Sequence, residues 1–253
     1  MKFKALLLIL LCSIGVAVLI FALNPVFQKE EEPLFTPLSE EALAQCPHTE
    51  PMALRKLDEC TPITLVEVPY TEPKAKSYFD KALFIGDSLT NGLEMFGSLK
   101  NATYFCATSA TAAGTASNAN LLNLLSSRSF ERVYIMLGIN EMGTPPSTYA
   151  KTMGRIIDTV RNYQPSAEIY LQTILPVVPE KTWSERVFSV KNIQAANAAL
   201  YTLAEDKEIH LVDTYHAFAD KNGRMPDGIA SDGVHLYTKN YAIWCDYLLS
   251  HTT

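Results

Sequence analysis

From residue 79 onward, apolar positions fall into two alternating patterns. Short apolar runs at Ala82–Ile85, Thr103–Ala107, Val133–Leu137, Ile169–Thr173 and His210–Val212 predict strands. Longer helix-like segments lie between them, near Leu89–Leu99, Ala116–Leu125, Thr148–Tyr163 and Glu185–Ala204, and a last one covers Thr238–Leu249. Strand–helix alternation predicts an α/β domain: a five-stranded parallel sheet with helices on both faces. Right-handed crossovers put every strand end that leads into a helix on one edge, and ligands bind at that carboxyl edge. The turns leaving the strands are therefore the places to look for chemistry.

The first 78 residues follow neither pattern. Lys2 and Lys4 precede an uncharged run from Ala5 to Leu23, within the range of about 17–25 apolar residues that spans a bilayer. It exceeds the usual signal-peptide core of about 7–15 residues, and "IFALNPVF" puts bulky residues where a peptidase wants small ones. Leu11 before Cys12 does not suit a lipid-modified cysteine. The expectation for residues 1–23 is an uncleaved single-pass anchor, with secretion after signal cleavage as the alternative. Lysines before the span and Glu30, Glu31 and Glu32 after it place the bulk of the chain outside the membrane. Residues 24–78 are rich in Pro, Glu and Thr and read as an extracytoplasmic stalk, with one short helix near Ser39–Gln45. The folded domain is expected over 79–253.

Composition narrows the function. The chain has 253 residues, of which 48% are apolar and 19% charged, ordinary for a globular protein. Net charge is −6 and no basic run interleaves with aromatics, so nucleic acid is not an expected partner. Of five cysteines, Cys106 and Cys245 sit in apolar patterns and read as core residues. Cys46 and Cys60 flank a polar tail segment, where a disulfide and two free thiols are both open. No cysteine pair has metal-ligand spacing with a histidine, and there is no Walker loop or dinucleotide-type glycine cluster, so neither a metal nor another cofactor is expected.

Three strand-end turns carry candidate chemistry. "FIGDSLTNG" puts Asp87 and Ser88 between the first strand and its helix. A serine there can simply cap a helix, but it can also be a nucleophile if a base and oxyanion donors arrive at the same edge. "YIMLGINEMG" follows the third strand. Gly138 permits a tight turn and Asn140 offers an amide donor suited to an oxyanion. "SDGVHLYTKN" places Asp232 three residues before His235, so that the carboxylate can fold back onto the imidazole and fix the tautomer that accepts a serine proton. Asp213 and His216 have the same spacing after the fifth strand. The later pair is preferred, because Gly233 frees its backbone and it forms the last turn before the last helix, while His216 lies among Tyr215, Ala217 and Phe218.

Together these elements resemble the GDSL, or SGNH, hydrolase family over roughly residues 79–251. "GDSLTNG" matches its first block, "GINE" its third, with Glu141 in place of the usual Asp, and "DGVHL" its fifth. The likeness is greatest to membrane-anchored bacterial members. It implies a flavodoxin-like three-layer fold, with Ser88 as nucleophile, His235 as base and Asp232 as its orienting carboxylate. It further implies an oxyanion hole from the Ser88 N–H, the Asn140 side chain and a second-block N–H. That second block departs from the family. Where a Gly is usual after the second strand, register gives Ser109, and Gly114 comes five residues later.

The expected reaction is hydrolysis of a small acyl ester, acetyl foremost, on cell-envelope carbohydrate. A lysophospholipase or acyltransferase of the same fold, and a non-catalytic carbohydrate-binding domain, are alternatives. Trp183, in the Pro-bounded loop "PVVPEKTWSE", either walls the substrate site or packs its own loop. The expected partner is an acylated carbohydrate or lipid, with the membrane reached through the N-terminal run. Oligomeric state is left open.

Overall fold

The computed structural model describes residues 67–253. The Ala5–Leu23 run, the segment near Ser39–Gln45, Cys12, Cys46 and Cys60 lie outside the described residues. No helix among the described residues is long and apolar enough to cross a membrane.

Five strands form one all-parallel sheet: β1 (Ala82–Gly86), β2 (Thr103–Cys106), β3 (Arg132–Met136), β4 (Glu168–Gln172) and β5 (His210–Val212). Their order is β2-β1-β3-β4-β5. That is the flavodoxin-like order, with its topological switch between β1 and β3. All of β1 and most of β3 and β4 are buried, because helices cover both faces of a parallel sheet. The edge strand β2 is half-buried along its length. Seven helices accompany the strands among the described residues: α1 (Ser88–Phe96), α2 (Ala112–Ala116), α3 (Ala119–Ser127), α4 (Pro146–Tyr163), α5 (Val190–Lys207), α6 (Thr214–Phe218) and α7 (Tyr241–Ser250).

One row of rings crosses the whole sheet. Tyr104, Phe84, Tyr134, Tyr170 and His210 come from five successive strands in register. Their centroids are 5.1, 4.8, 4.5 and 4.8 Å apart, each pair stacked. Parallel pairing puts residues of equal register side by side, so one aromatic per strand suffices to build the row. His210 has a structural place here, at the end of that row.

Helix ends differ from expectation where caps intervene. α1 stops at Phe96, because Gly97 leaves the helical region. α5 starts at Val190 rather than near Glu185, because the Ser189 side chain accepts from Asn192 N. α3 starts at Ala119 rather than Ala116 because Asn118 caps it, leaving Ala112–Ala116 as a separate short helix. The segment 67–78, assigned above to the stalk, packs on the domain. Val68 is buried and its N–H donates to Leu211 O at 2.8 Å, extending the sheet past β5. The Thr71 and Lys74 N–H groups donate to the Ser250 and Leu249 carbonyls at 2.7 and 2.8 Å.

Candidate active site

Gly86, Cys106 and Met136 are register partners, so the loops after β1, β2 and β3 leave the sheet at one level. Gly86 allows the first of these turns to close. A Cβ there would lie 1.9 Å from Thr90 Oγ1 and 2.8 Å from Met136 O. The next residue, Asp87, is buried and caps α1 by accepting from Leu89 N at 2.9 Å. Burial pushes its carboxyl up to about 7, against the lowering effect of that N–H and of the nearby His235. With Asp87 in the cap, Ser88 is not needed there and stands half-buried at the first position of α1.

Ser88 Oγ lies 2.9 Å from His235 Nε2, although 147 positions separate the two residues. His235 Nδ1 lies 2.7 Å from Asp232 Oδ2. The other carboxylate oxygen accepts the Val234 and His235 main-chain N–H groups at 3.0 and 2.8 Å. Burial pushes Asp232 up, but the His235 N–H and ring and the Val234 N–H together hold its carboxyl below the ordinary value. An ionised carboxylate only accepts, so Nδ1 carries the hydrogen and Nε2 is left to accept from the Ser88 hydroxyl. The turn is shaped by a bridge between Ala230 and Leu236, by Ser231 N donating to His235 O at 2.9 Å, and by Gly233 at φ 88°. A Cβ on Gly233 would meet Val178 O at 2.6 Å.

The second-block turn runs from Ala107 to Ala110, closed by Ala110 N donating to Ala107 O at 3.1 Å. Ser109 is its third residue and has φ 62°, the left-handed region that favours glycine. The register that places Ser109 at a glycine position thus has a backbone counterpart. Closing the turn uses the Ala110 N–H, and the Ser109 N–H has no hydrogen-bond partner among the described residues. Asn140 follows Gly138, whose φ of 129° admits no side chain, since a Cβ would lie 2.5 Å from Tyr149 Oη. Asn140 Nδ2 donates to Ala110 O at 3.0 Å, so the carboxamide sits against the Ser109 turn with its second hydrogen unspent.

Glu141 has a place that its sequence position did not reveal. Its carboxylate accepts from Ala112 N at 2.8 Å, tying the loop after β3 to the start of α2 beyond the Ser109 turn. Burial raises its carboxyl above the ordinary value against the Ala112 and Ala113 N–H groups. Residues 179–182 pack against Gly233, where an added methyl would touch Lys181 Cβ and Thr182 Cγ2 at 3.0 and 3.1 Å. Trp183 follows, 73% exposed, with its ring edge-on to Phe188 at 4.1 Å between centroids.

The competing pair also forms. His216 Nδ1 hydrogen-bonds Asp213 Oδ2, but the His216 side chain is 76% exposed and meets no hydroxyl among the described residues. Asp213 also accepts from Thr173 Oγ1 at 3.0 Å and Tyr201 Oη at 2.8 Å. Of the two expected core cysteines, Cys245 is buried and Cys106 half-buried, its thiol 3.3 Å from Glu94 Oε2. Among the described residues, no three His, Cys, Asp or Glu side chains are grouped to hold a metal ion.

No curated protein matches the chain. Solved structures do. A Streptococcus pneumonia protein provisionally assigned as a platelet activating factor is 22% identical, covers 68% of this chain and 88% of its own, and superposes with a TM-score of 0.54. A GDSL-like lipase from Bacteroides thetaiotaomicron is 16% identical over 70% of this chain and 89% of its own, with a TM-score of 0.53. Est24, a carbohydrate acetylesterase from Sinorhizobium meliloti, is 17% identical over 66% and 95%, also at 0.53. At these identities the likeness speaks for the fold. The profile of the GDSL-like lipase/acylhydrolase family matches residues 84–243, from the strand that leads to Ser88 to the helix that follows His235. The chain belongs to the GDSL-like lipase/acylhydrolase family and is an ester hydrolase of that type.

Proposed function

We propose that the chain is a serine esterase that removes a small acyl group, acetyl foremost, from a carbohydrate, using Ser88, His235 and Asp232. The contact that carries this reading is the relay of 2.9 Å from Ser88 Oγ to His235 Nε2 and 2.7 Å from His235 Nδ1 to Asp232 Oδ2. Both lie in the hydrogen-bond range a general base needs before geometry becomes an obstacle.

Ser88 Oγ attacks the ester carbonyl carbon while its proton passes to His235 Nε2. Asp232 stabilises the resulting imidazolium and keeps the ring in place. The carbonyl oxygen, now an anion, is met by the Ser88 and Ser109 N–H groups and the free Asn140 hydrogen, each such donor worth about 3–4 kcal/mol of barrier. Collapse breaks the bond to the alcohol oxygen, which takes the proton from Nε2 and leaves. Water then repeats the sequence on the acyl-serine: it gives a proton to His235, attacks the carbonyl carbon, and the acid departs as the proton returns to Ser88 Oγ.

Openness favours a small acyl group on a large alcohol. His235 and Asp232 side chains are 41% and 53% exposed, and Ala107, Thr108 and Ser109 lie on the surface. Such a rim admits a polar, solvated substrate, whereas a long acyl chain gains most from an enclosed apolar channel. The Ala5–Leu23 run would hold this site at the outer face of a membrane, near envelope polymers.

The test is hydrolysis of p-nitrophenyl acetate, butyrate and octanoate, with Ser88→Ala as control. The reading requires turnover that falls with chain length and that the control lacks. Equal rates in both proteins would end the serine mechanism, and octanoate as the best substrate would replace acetyl with a lipid acyl group.

A further inference from the structure

We infer that Trp183 is a stacking platform for the sugar ring that carries the acyl group, a specificity element of the same cleft. The inference rests on the esterase reading above and names the part of the substrate that lies outside the triad. Trp183 is the most exposed large hydrophobic side chain among the described residues, on a loop that is otherwise tightly held. Glu180 pairs both carboxylate oxygens with Arg224, at 2.7 and 2.5 Å. Lys181 Nζ meets Asp227 Oδ1 at 2.6 Å, and Thr182 N and Oγ1 both donate to Pro179 O. On the other side of Trp183, Ser184 O accepts from Val187 N and Phe188 N, and Asn192 Nδ2 donates to Val187 O at 2.9 Å. A lone apolar side chain in water needs no explanation, but one carried on a loop held on both sides by this many bonds has its backbone position set in advance.

Its position is fixed at both ends by the catalytic loops. Val178 N donates to Gly233 O at 2.9 Å, and Thr182 packs on Gly233 between Asp232 and His235. Four residues after Trp183, Val187 reaches the other loop, with Cγ1 3.9 Å from the point a methyl on Gly143 would occupy, three residues past Asn140. The segment 182–187 therefore runs between the loop that holds Asp232 and His235 and the loop that follows Asn140. Phe188 meets the indole edge-to-face, and the indole is still 73% exposed to solvent. A pyranose presents a face of C–H groups that lies flat on an aromatic ring, while its hydroxyls stay solvated or bond the charged side chains nearby. Glu180, Lys181, Arg224 and Asp227 ring the loop with such groups.

The two tryptophans make a direct test possible, because Trp244 is fully buried and only Trp183 meets solvent. In full-chain Ser88→Ala, which binds without turning over, an O-acetylated methyl glucopyranoside should shift the indole emission to the blue. Saturation should lower acrylamide quenching at least about twofold. Ethyl acetate, the same acyl group without a ring, should do neither. In Ser88-containing protein, Trp183→Ala should raise KM for the acetylated sugar about tenfold with kcat within about twofold, the signature of lost uniform binding, and Trp183→Phe should recover most of it. Unchanged emission and quenching at saturating sugar, with wild-type turnover of the same compound, would overturn the inference. So would an equal shift from monomeric lysophosphatidylcholine, which would make the ring an acyl-chain contact. A sugar-induced shift in a protein without Ser88-dependent hydrolysis would uphold the platform and remove the esterase, so the two readings fail separately.

Discussion

Two aspartate–histidine pairs of identical spacing sit at the carboxyl edge of this sheet, and they are not equivalent. Asp213–His216 has the better-buried carboxylate, 3% exposed, with Thr173, Tyr201 and the His216 N–H and ring as partners. Asp232–His235 is more open, yet its imidazole meets a serine hydroxyl. In each, the aspartate accepts both the main-chain and the ring nitrogen of the histidine three residues on. The spacing alone builds an oriented imidazole. What sets the second pair apart is what the fold brings to the other nitrogen of its imidazole, and that contact spans 147 positions. The first pair is instead committed to structure: Asp213 caps α6 and ties β4 and α5 to the end of β5.

The largest expected effect separates the histidines. His235→Ala should lower kcat for p-nitrophenyl acetate by about 10⁴-fold or more, while His216→Ala should leave it within about threefold. The reverse outcome would assign the base to the wrong pair. The aspartates should split between activity and stability. Asp232→Ala should reduce kcat by about 10³–10⁴-fold with little change in urea midpoint. Asp213→Ala should keep most activity but lose about 2–3 kcal/mol of stability, because Thr173 Oγ1, Tyr201 Oη and an N–H lose a buried acceptor. Equal stability losses from the two substitutions would break the distinction.

A third aspartate shows what burial does without a histidine hydrogen bond. Asp87 has its folded value raised to about 7, well above that of an unfolded aspartate, so the folded state binds more protons between about pH 4 and 7. Its contribution to stability is fully present below about pH 4 and is lost as pH rises through 7. Asn at this position still accepts from Leu89 N. Asp87→Asn should therefore remove that decline, seen as a gain in urea midpoint over wild type that grows from pH 5 to pH 8. A gain that shrinks over that interval would contradict the assignment. The smallest effect belongs to Ser109. Ser109→Gly should stabilise the chain by up to about 1 kcal/mol by relieving the left-handed backbone, with the oxyanion N–H and kcat retained. A large loss of kcat would mean that the Ser109 hydroxyl itself takes part.

The parts of this molecule legible in its sequence are those written locally. Apolar runs located all five strands within a residue or two, since the inner strands β1, β3 and β4 are buried over most of their length and largely apolar. Asp232 and His235 were legible because their contact closes over three residues. Glu141 was not, because its partner is the α2 N-terminus, 29 positions away, and nothing about a glutamate in a turn announces what its carboxylate will meet. α6 is too short, at Thr214–Phe218, to show a helical period. The segment 67–78 has a linker's composition but is held by main-chain bonds to Leu211, Leu249 and Ser250, which composition does not encode. The exposure of His216 also differs from its apolar surroundings in sequence: on a single helical turn, Tyr215 and Phe218 face inward and His216 faces out.

The most direct measurement is covalent. Full-length protein treated with diisopropyl fluorophosphate and mapped by peptide mass should carry the label on Ser88, in wild type and His216→Ala alike, with the rate of labelling collapsing in His235→Ala. Label on another residue, or labelling of Ser88 that survives the loss of His235 but not that of His216, would contradict a nucleophile activated by the Asp232–His235 pair.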